Sequence, residues 1–300
     1  MNSHNAPPAV SRAYHGSWMS PQAKNDDLVY VSNAANDTVT AYGLTTHKLE
    51  GVLTDIYQPF GVCSDTQGNV WIVAWGNNRI IKYPHGGTQP LETLTVSDQT
   101  ADLRDCSVDP TTGNLAVTNW GYHWYQGNVL IFAQGRGKPT KYTGPGLWYP
   151  VGCDYDDKGN LWADGWDAYL NGYVALGELH KGGKGIANIS LIPSMQPPIL
   201  GTVRWDGKYV AIGSWETIQE YAVKGSFAYL RGSTALTYHW PVGMFSITTY
   251  RGRQIVVAPD TAYSPNAVQY WKYPIGGAPT ATITGSLNGS YGAVVSLAAK

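Results

Sequence analysis

The chain has 300 residues, charged residues make up only 14% of it, and the formal net charge is −1. That balance excludes the basic footprint of a duplex nucleic-acid binder and offers no polybasic run for an acidic membrane surface. The 35 Gly, 12 Trp and 21 Tyr, against 4 Phe and 4 Met, exclude disorder, which goes with high net charge and few aromatics. They also exclude a mainly helical chain, which needs Ala, Glu, Lys and Leu in bulk.

Residues 1–27 hold no apolar stretch of the signal-peptide kind and read as an N-terminal extension; residues 28–300 read as a single domain. The expected location is extracellular or periplasmic with a leader removed, and otherwise cytoplasmic. No run approaches the roughly 18 apolar residues of a membrane-crossing helix, so neither membrane nor nucleic acid is an expected partner.

From Val29 onward one phrase recurs. VYVSNAA at Val29 is followed by VWIVAWG at Val70, LAVTNWG at Leu115, LWADGWD at Leu161, YVAIGSW at Tyr209 and QIVVAPD at Gln254, a period of about 45 residues. An apolar segment and a tight turn precede the copies (PFGVCSD-TQGN, RDCSVDPTTGN, PVGCDYDDKGN, GTVRWDGK), which reads as two strands joined by a hairpin. A third strand follows (RIIKYP, NVLIFA, AVQYWKYP), then a Gly/Pro-rich turn and a fourth strand (LETLTV, TKYT, TATIT). Four antiparallel strands per repeat, six times over, predict an all-β, six-bladed β-propeller. The first copy lacks a strand before it, while Gly292 to Ala298 has the character of a first strand with nothing after it. The C-terminal strand is therefore expected to join the N-terminal blade and close the ring.

The units from Pro59 to Val73 and from Pro150 to Ala163, P-x-G-V-x-x-D-x-x-G-N followed by apolar residues, resemble NHL repeats. More distantly they are similar to six-bladed propellers of the SMP-30 (gluconolactonase-like) and strictosidine-synthase-like kind. The resemblance implies a ligand site on the face that carries the loops from second to third strand and from fourth strand to the next blade. The gluconolactonase-like enzymes of that resemblance hold a divalent cation in the channel, a ligand set that Asn119, Asp154 and Asp164 could imitate; no cofactor is predicted for this chain.

Aromatic residues mark that same face. Trp75, Trp120 and Trp166 share one place at the end of the second strand, and Trp215 is one position off it. Trp124, Trp148 and Trp240 fall in the same loops, with Tyr149. Repeated Trp can be inter-blade packing, or a ring of flat surfaces suited to sugar or aromatic ligands.

Alignment on the turn Asp puts Cys63, Ser107, Asp154 and Arg204 at one level of the axial channel, with Gly61, Asp105, Gly152 and Thr202 one step higher. Asp154 and Arg204 read either as a structural ion pair or as a functional one with perturbed ionisation. His123 and His239 are the histidines of the ligand-face loops. Cys63, Cys106 and Cys153, odd in number, read as three buried thiols. Neither HExxH nor CxxC, G-x-S-x-G or a Walker A sequence is present.

The leading expectation is a monomer that binds a carbohydrate-like or aromatic small ligand through Trp75, Trp120, Trp124, Trp148, Trp166, Trp215, Trp240 and Tyr149, oriented by His123 and Arg204. The alternative is a hydrolase or lyase with Asp154, His239 and Asp105 as acid/base residues. A third is a scaffold that grips a protein partner through the aromatic rim.

Overall fold

The computed structural model describes residues 16–98, 100–121, 125–167, 173–195, 202–237, 242–260 and 266–299. Among them the regular structure is strand and short 3-10 turn, with no α-helix. In chain order the strands are β1 (Trp18–Met19), β2 (Leu28–Asn33), β3 (Thr38–Gly43), β4 (Leu49–Leu53), β5 (Pro59–Ser64), β6 (Val70–Ala74), β7 (Arg79–Tyr83), β8 (Glu92–Thr95), β9 (Leu103–Val108), β10 (Leu115–Asn119), β11 (Asn128–Phe132), β12 (Thr140–Tyr142) and β13 (Tyr149–Tyr155). There follow β14 (Leu161–Trp166), β15 (Val174–Leu179), β16 (Ala187–Ile192), β17 (Val203–Trp205), β18 (Val210–Gly213), β19 (Thr217–Lys224), β20 (Phe227–Ala235), β21 (Ser246–Tyr250), β22 (Arg253–Asp260), β23 (Ala267–Tyr273), β24 (Ala281–Ile283) and β25 (Ser290–Ser296).

Three sheets are four-stranded meanders, β5 to β8, β9 to β12 and β21 to β24. A fourth runs β1-β4-β3-β2-β25, so the C-terminal strand takes the inner place beside β2, with Leu28 opposite Ser296 and Val31 opposite Ala293. Trp18 and Met19 extend this sheet at its outer edge, opposite Val52 and Gly51. The innermost strands β25, β5, β9, β13, β17 and β21 pack side by side in a closed circuit, which gives the propeller-like arrangement.

Local chemistry explains the hairpins. Asp65 accepts the backbone N–H groups of Gln67 and Asn69 at 2.9 Å each, and Asp156 does the same for Lys158 and Asn160. This is the Asx-turn habit of aspartate, and Gly68 at φ +79° supplies the left-handed residue the turn needs. Strands near the axis are buried on both faces, as in β2, whereas the outer β16 alternates exposed with buried residues. The core is divided among the sheets: Trp71, Val73, Leu103, Leu115 and Phe132, for example, pack together between two neighbours, each contributing about 1.5–3 kcal/mol by burial.

The expectation of six separate blades needs correction. Four sheets are separate, but β13 to β20 form a single eight-stranded sheet in the order β13-β14-β15-β16-β20-β19-β18-β17. The cause is the long β19–β20 hairpin, whose second strand runs nine residues and pairs in parallel with β16, Ser190 to Ile192 against Phe227 to Tyr229. Because β13 also packs against β17, this sheet is nearly closed on itself.

The cysteine reading is also corrected. Cys63 on β5 and Cys106 on the adjacent inner strand β9, one place apart in the repeat alignment, have Cα atoms 5.7 Å apart and are joined by a disulfide. Cys153 remains a buried free thiol.

Candidate functional site

The starts of the inner strands and the ends of the second strands lie on one face, and the aromatic residues there form a connected arc. Tyr291 stacks on Phe60, with centroids 4.4 Å apart, and Phe60 lies 6.1 Å from Trp75. Trp120 stacks on Tyr149 at 5.2 Å and meets Trp166 edge-on at 5.3 Å. Between the two groups sits Arg104, the second residue of β9. Its guanidinium carbon is 5.0 Å from the Phe60 and Trp75 rings and 5.6 Å from Trp120, within reach of the cation–π attraction.

Asp102 accepts from Arg104 Nη2 at 2.8 Å. Burial pushes the Asp102 carboxyl up, against the opposing pull of Arg104 and the Trp75 indole. Arg104 Nε is buried and has no hydrogen-bond partner among the described residues. Trp75, Trp120 and Trp166 are half-buried in this arrangement: Trp120 packs on Trp166, and Trp75 and Trp120 both lie against Arg104, while each ring leaves part of its surface open.

Trp148 is half-buried beside the arc, its N–H donating to the carbonyl of Trp166 at 3.0 Å, and Trp215 is exposed after β18. His123, Trp124, His239 and Trp240 lie outside the described residues.

Below the arc the channel is polar. Arg204 on β17 donates to both carboxylate oxygens of Asp105 on β9, Nη1 to Oδ2 at 2.6 Å and Nη2 to Oδ1 at 3.2 Å. It also donates to the carbonyls of Phe245 (Nε, 2.7 Å) and Cys153 (Nη1, 3.1 Å). The ion pair expected between Arg204 and Asp154 is thus made with Asp105 instead, because the guanidinium reaches across the channel. Burial works against the Arg204 charge, but the Asp105 and Asp154 carboxylates outweigh it and raise the guanidinium further.

Asp154 accepts from Ser107 Oγ at 2.7 Å and from the N–H of Trp205 at 2.8 Å. Burial raises its carboxyl, partly offset by Arg204. It faces a cavity of about 150 Å³ shared with Arg204, Ser107 and the Cys63–Cys106 bridge.

Asp164 on β14 does a different job. In the same place of two other sheets, Ser32 donates to Phe60 O and accepts from Gly292 N, and Thr118 donates to Val151 O and accepts from Asp105 N. Each hydroxyl therefore ties neighbouring inner strands together. Asp164 accepts from Gly152 N at 3.0 Å and from Val203 N, and Gly152 must lack a side chain because a Cβ there would meet both Asp164 and Thr202. Burial first, then the Asp105 charge, pushes the Asp164 carboxyl up to about 8.

The cation implied by resemblance does not fit these residues. Asn119 Oδ1 is taken by the N–H groups of Asp102 and Gly121, Asp164 by those of Gly152 and Val203, and Asp154 by Ser107 and Trp205. Among the described residues no group of three His, Cys, Asp or Glu side chains is placed to hold a metal ion.

Sequence reasoning missed Arg104, Asp102 and Phe60. A charged residue at the start of an inner strand facing aligned Trp positions on both sides is the signal that could have found them.

No protein-family model matches the chain, and no curated protein matches it. Solved structures do. The structure of a nidogen/laminin complex superimposes with a TM-score of 0.68 at 12% identity, covering 91% of this chain and 100% of that one. A protein of unknown function from Bacteroides caccae gives 0.64 at 8% identity, covering 90% and 99%. The fold is a β-propeller. A catalytically inactive virginiamycin B lyase from Staphylococcus aureus, in complex with quinupristin, aligns at 0.51 and 11% identity over 85% of this chain and 76% of that one. At such identities the propeller likeness carries over as fold alone.

Proposed function

We propose that this propeller binds a carbohydrate-like or aromatic small molecule on the arc over its channel. The observation that carries the reading is the Arg104 guanidinium set among Phe60, Trp75 and Trp120 at 5.0–5.6 Å. It combines flat apolar faces with a fixed charge and a buried Nε donor that has no partner among the described residues. Such a surface suits a planar or pyranose ring that stacks on indole and offers an oxygen to the guanidinium. Trp148, Trp166, Trp215 and Tyr149 would extend the contact, and we propose that His123, Trp124 and Trp240, outside the described residues, would join them.

The hydrolase or lyase reading, with Asp105, Asp154 and His239, is not favoured by any one observation: Asp105 is locked to Arg204 and Asp154 to Ser107 and Trp205. The architecture we propose is six NHL-like blades, two of them zipped together at their outer strands, and the turn aspartates support the repeat type. The Cys63–Cys106 disulfide supports an oxidising extracellular or periplasmic location, and the chain is proposed to act as a monomer.

Tryptophan fluorescence titrated with a panel of glycans and aromatic acids tests the reading. We expect a saturable response that Arg104→Ala and Trp120→Ala weaken by about tenfold or more, while Asp154→Asn leaves it. A panel that leaves the spectrum unchanged would remove the small-ligand reading.

A further inference from the structure

A second feature becomes legible when equivalent places in two sheets are compared. Trp71 on β6 and Trp162 on β14 occupy the same position of the repeated phrase. Trp71 faces Lys82 across the strand pair. The Lys82 ammonium lies 5.3 Å from the Trp71 ring and 2.9 Å from Asp65, so an ion pair closes the slot, whose cavity measures about 270 Å³. Trp162 faces Glu178 instead, and Asp156 stands where Asp65 does. Two carboxylates cannot make the closing pair, and the slot opens into a groove of about 540 Å³ lined by Trp162, Glu178, His180, Trp205, Lys208 and Tyr221.

This groove is built by the fold anomaly already described. The parallel pairing of β16 with β20 seals the outer side of the space between the two halves of the eight-stranded sheet, so the groove is the mouth of a nearly closed sheet, a usual place for ligand pockets. It lies on the face of the Asp156 and Asp206 turns, opposite the aromatic arc.

Its polar groups form an unusual pair. Trp162 is 4% exposed, and its Nε1 donor has no hydrogen-bond partner among the described residues. An unmet buried donor costs about 1–3 kcal/mol. The cross-strand neighbour Glu178 is buried, an acceptor whose carboxylate lies 3.2 Å from His180 Nδ1. A hydroxyl is the group that answers both, accepting from the indole N–H while donating to the carboxylate. The half-buried Trp205 ring supplies a flat wall. An amine would satisfy Glu178 but leave the Trp162 donor unmet and would face Lys158 and Lys208 at the rim.

We propose that the groove between β14–β15 and β17–β19 is a second binding site, for a neutral pyranose ring of a glycan. It does not depend on the arc reading. The probe is a set of disaccharides (cellobiose, maltose, lactose, chitobiose) at about 10 mM, a concentration that would fill about nine-tenths of a site with a Kd of about 1 mM. The readout is the ¹⁵N-indole spectrum of the full-length protein.

A disaccharide is expected to shift the Trp162 and Trp205 resonances. Glu178→Gln should weaken binding about tenfold or more. Glu178→Lys, which installs the Lys82–Asp65 arrangement opposite Asp156, should abolish it, with Trp271 unchanged in both variants as the mark of an intact fold. Trp162→Phe keeps the packing and should also lose the response, read at Trp205. The proposal is overturned by no shift at Trp162 and Trp205 with any of the four sugars, or by shifts that survive Glu178→Lys. Shifts confined to Trp75 and Trp120 would also overturn it while leaving the arc reading in place.

Discussion

Arg204 holds Asp105 through two parallel hydrogen bonds, at 2.6 and 3.2 Å, across a channel in which the Asp105 side chain is wholly buried. The pair links β9 to β17 past the intervening β13, whose Cys153 carbonyl also accepts from Arg204, and so ties three successive inner strands together.

Removing one partner strands the other as a buried charge, which typically costs about 3–5 kcal/mol. Arg204→Met and Asp105→Asn are each expected to lower the free energy of unfolding by that order, read as a fall in the urea midpoint at unchanged slope. The double variant Asp105→Asn with Arg204→Met should be less destabilised than the sum of the singles, because no charge is left unpaired while the introduced amide still accepts from Cys153 N and Thr202 Oγ1. Equal and additive losses would show that the pair has no coupling.

Asp164 gives a pH dependence with a definite sign. Its carboxyl rises to about 8 in the folded protein, against about 3.9 when unfolded. Between those values the native state holds a proton that the unfolded state has released, so stability falls as pH rises through this window and levels off above it. Asp164→Asn keeps the acceptor for Gly152 N and removes the titration. It should flatten the profile from about pH 4 to 8 and be the more stable of the two proteins at pH 8, checked by chemical denaturation across pH.

The disulfide closes a loop with a sequence separation of 43, for which the chain-entropy estimate is about 4 kcal/mol. Reduction should therefore lower Tm by several degrees without loss of the fold. Cys153 is buried, and burial together with the Asp105 charge pushes its thiol well up. It should resist thiol reagents in the native protein and titrate as one free thiol on denaturation, with two more after reduction.

The parts of the fold set by local chemistry could be read from the chain. The phrase from Val70 to Gly76 and its copies located the strands, the turn aspartates Asp65 and Asp156 located the hairpins, and Gly292 to Ala298 announced a strand that sits inside the first sheet. What escaped was set by distance. The β16–β20 junction depends on how far the hairpin ending at Ala235 reaches outward, which periodicity does not encode. The disulfide joins residues that the repeat sets one place apart, Cys63 being level with Ser107, so alignment of the copies did not pair it with Cys106. Arg104 has no counterpart in the repeat, so alignment of copies passed over the residue around which the aromatic arc is organised. The difference between Lys82 and Glu178 is plain in the sequence, but its meaning appears only once Trp71 and Trp162 are seen to face them.

The most direct test of the arc as the ligand surface is the ¹⁵N-indole spectrum recorded while a ligand found by fluorescence is titrated in. Saturable shifts at Trp75 and Trp120, with the buried Trp271 unchanged and the response lost in Arg104→Ala, are the expected result. A ligand that binds while the Trp75 and Trp120 resonances stay fixed would contradict the account.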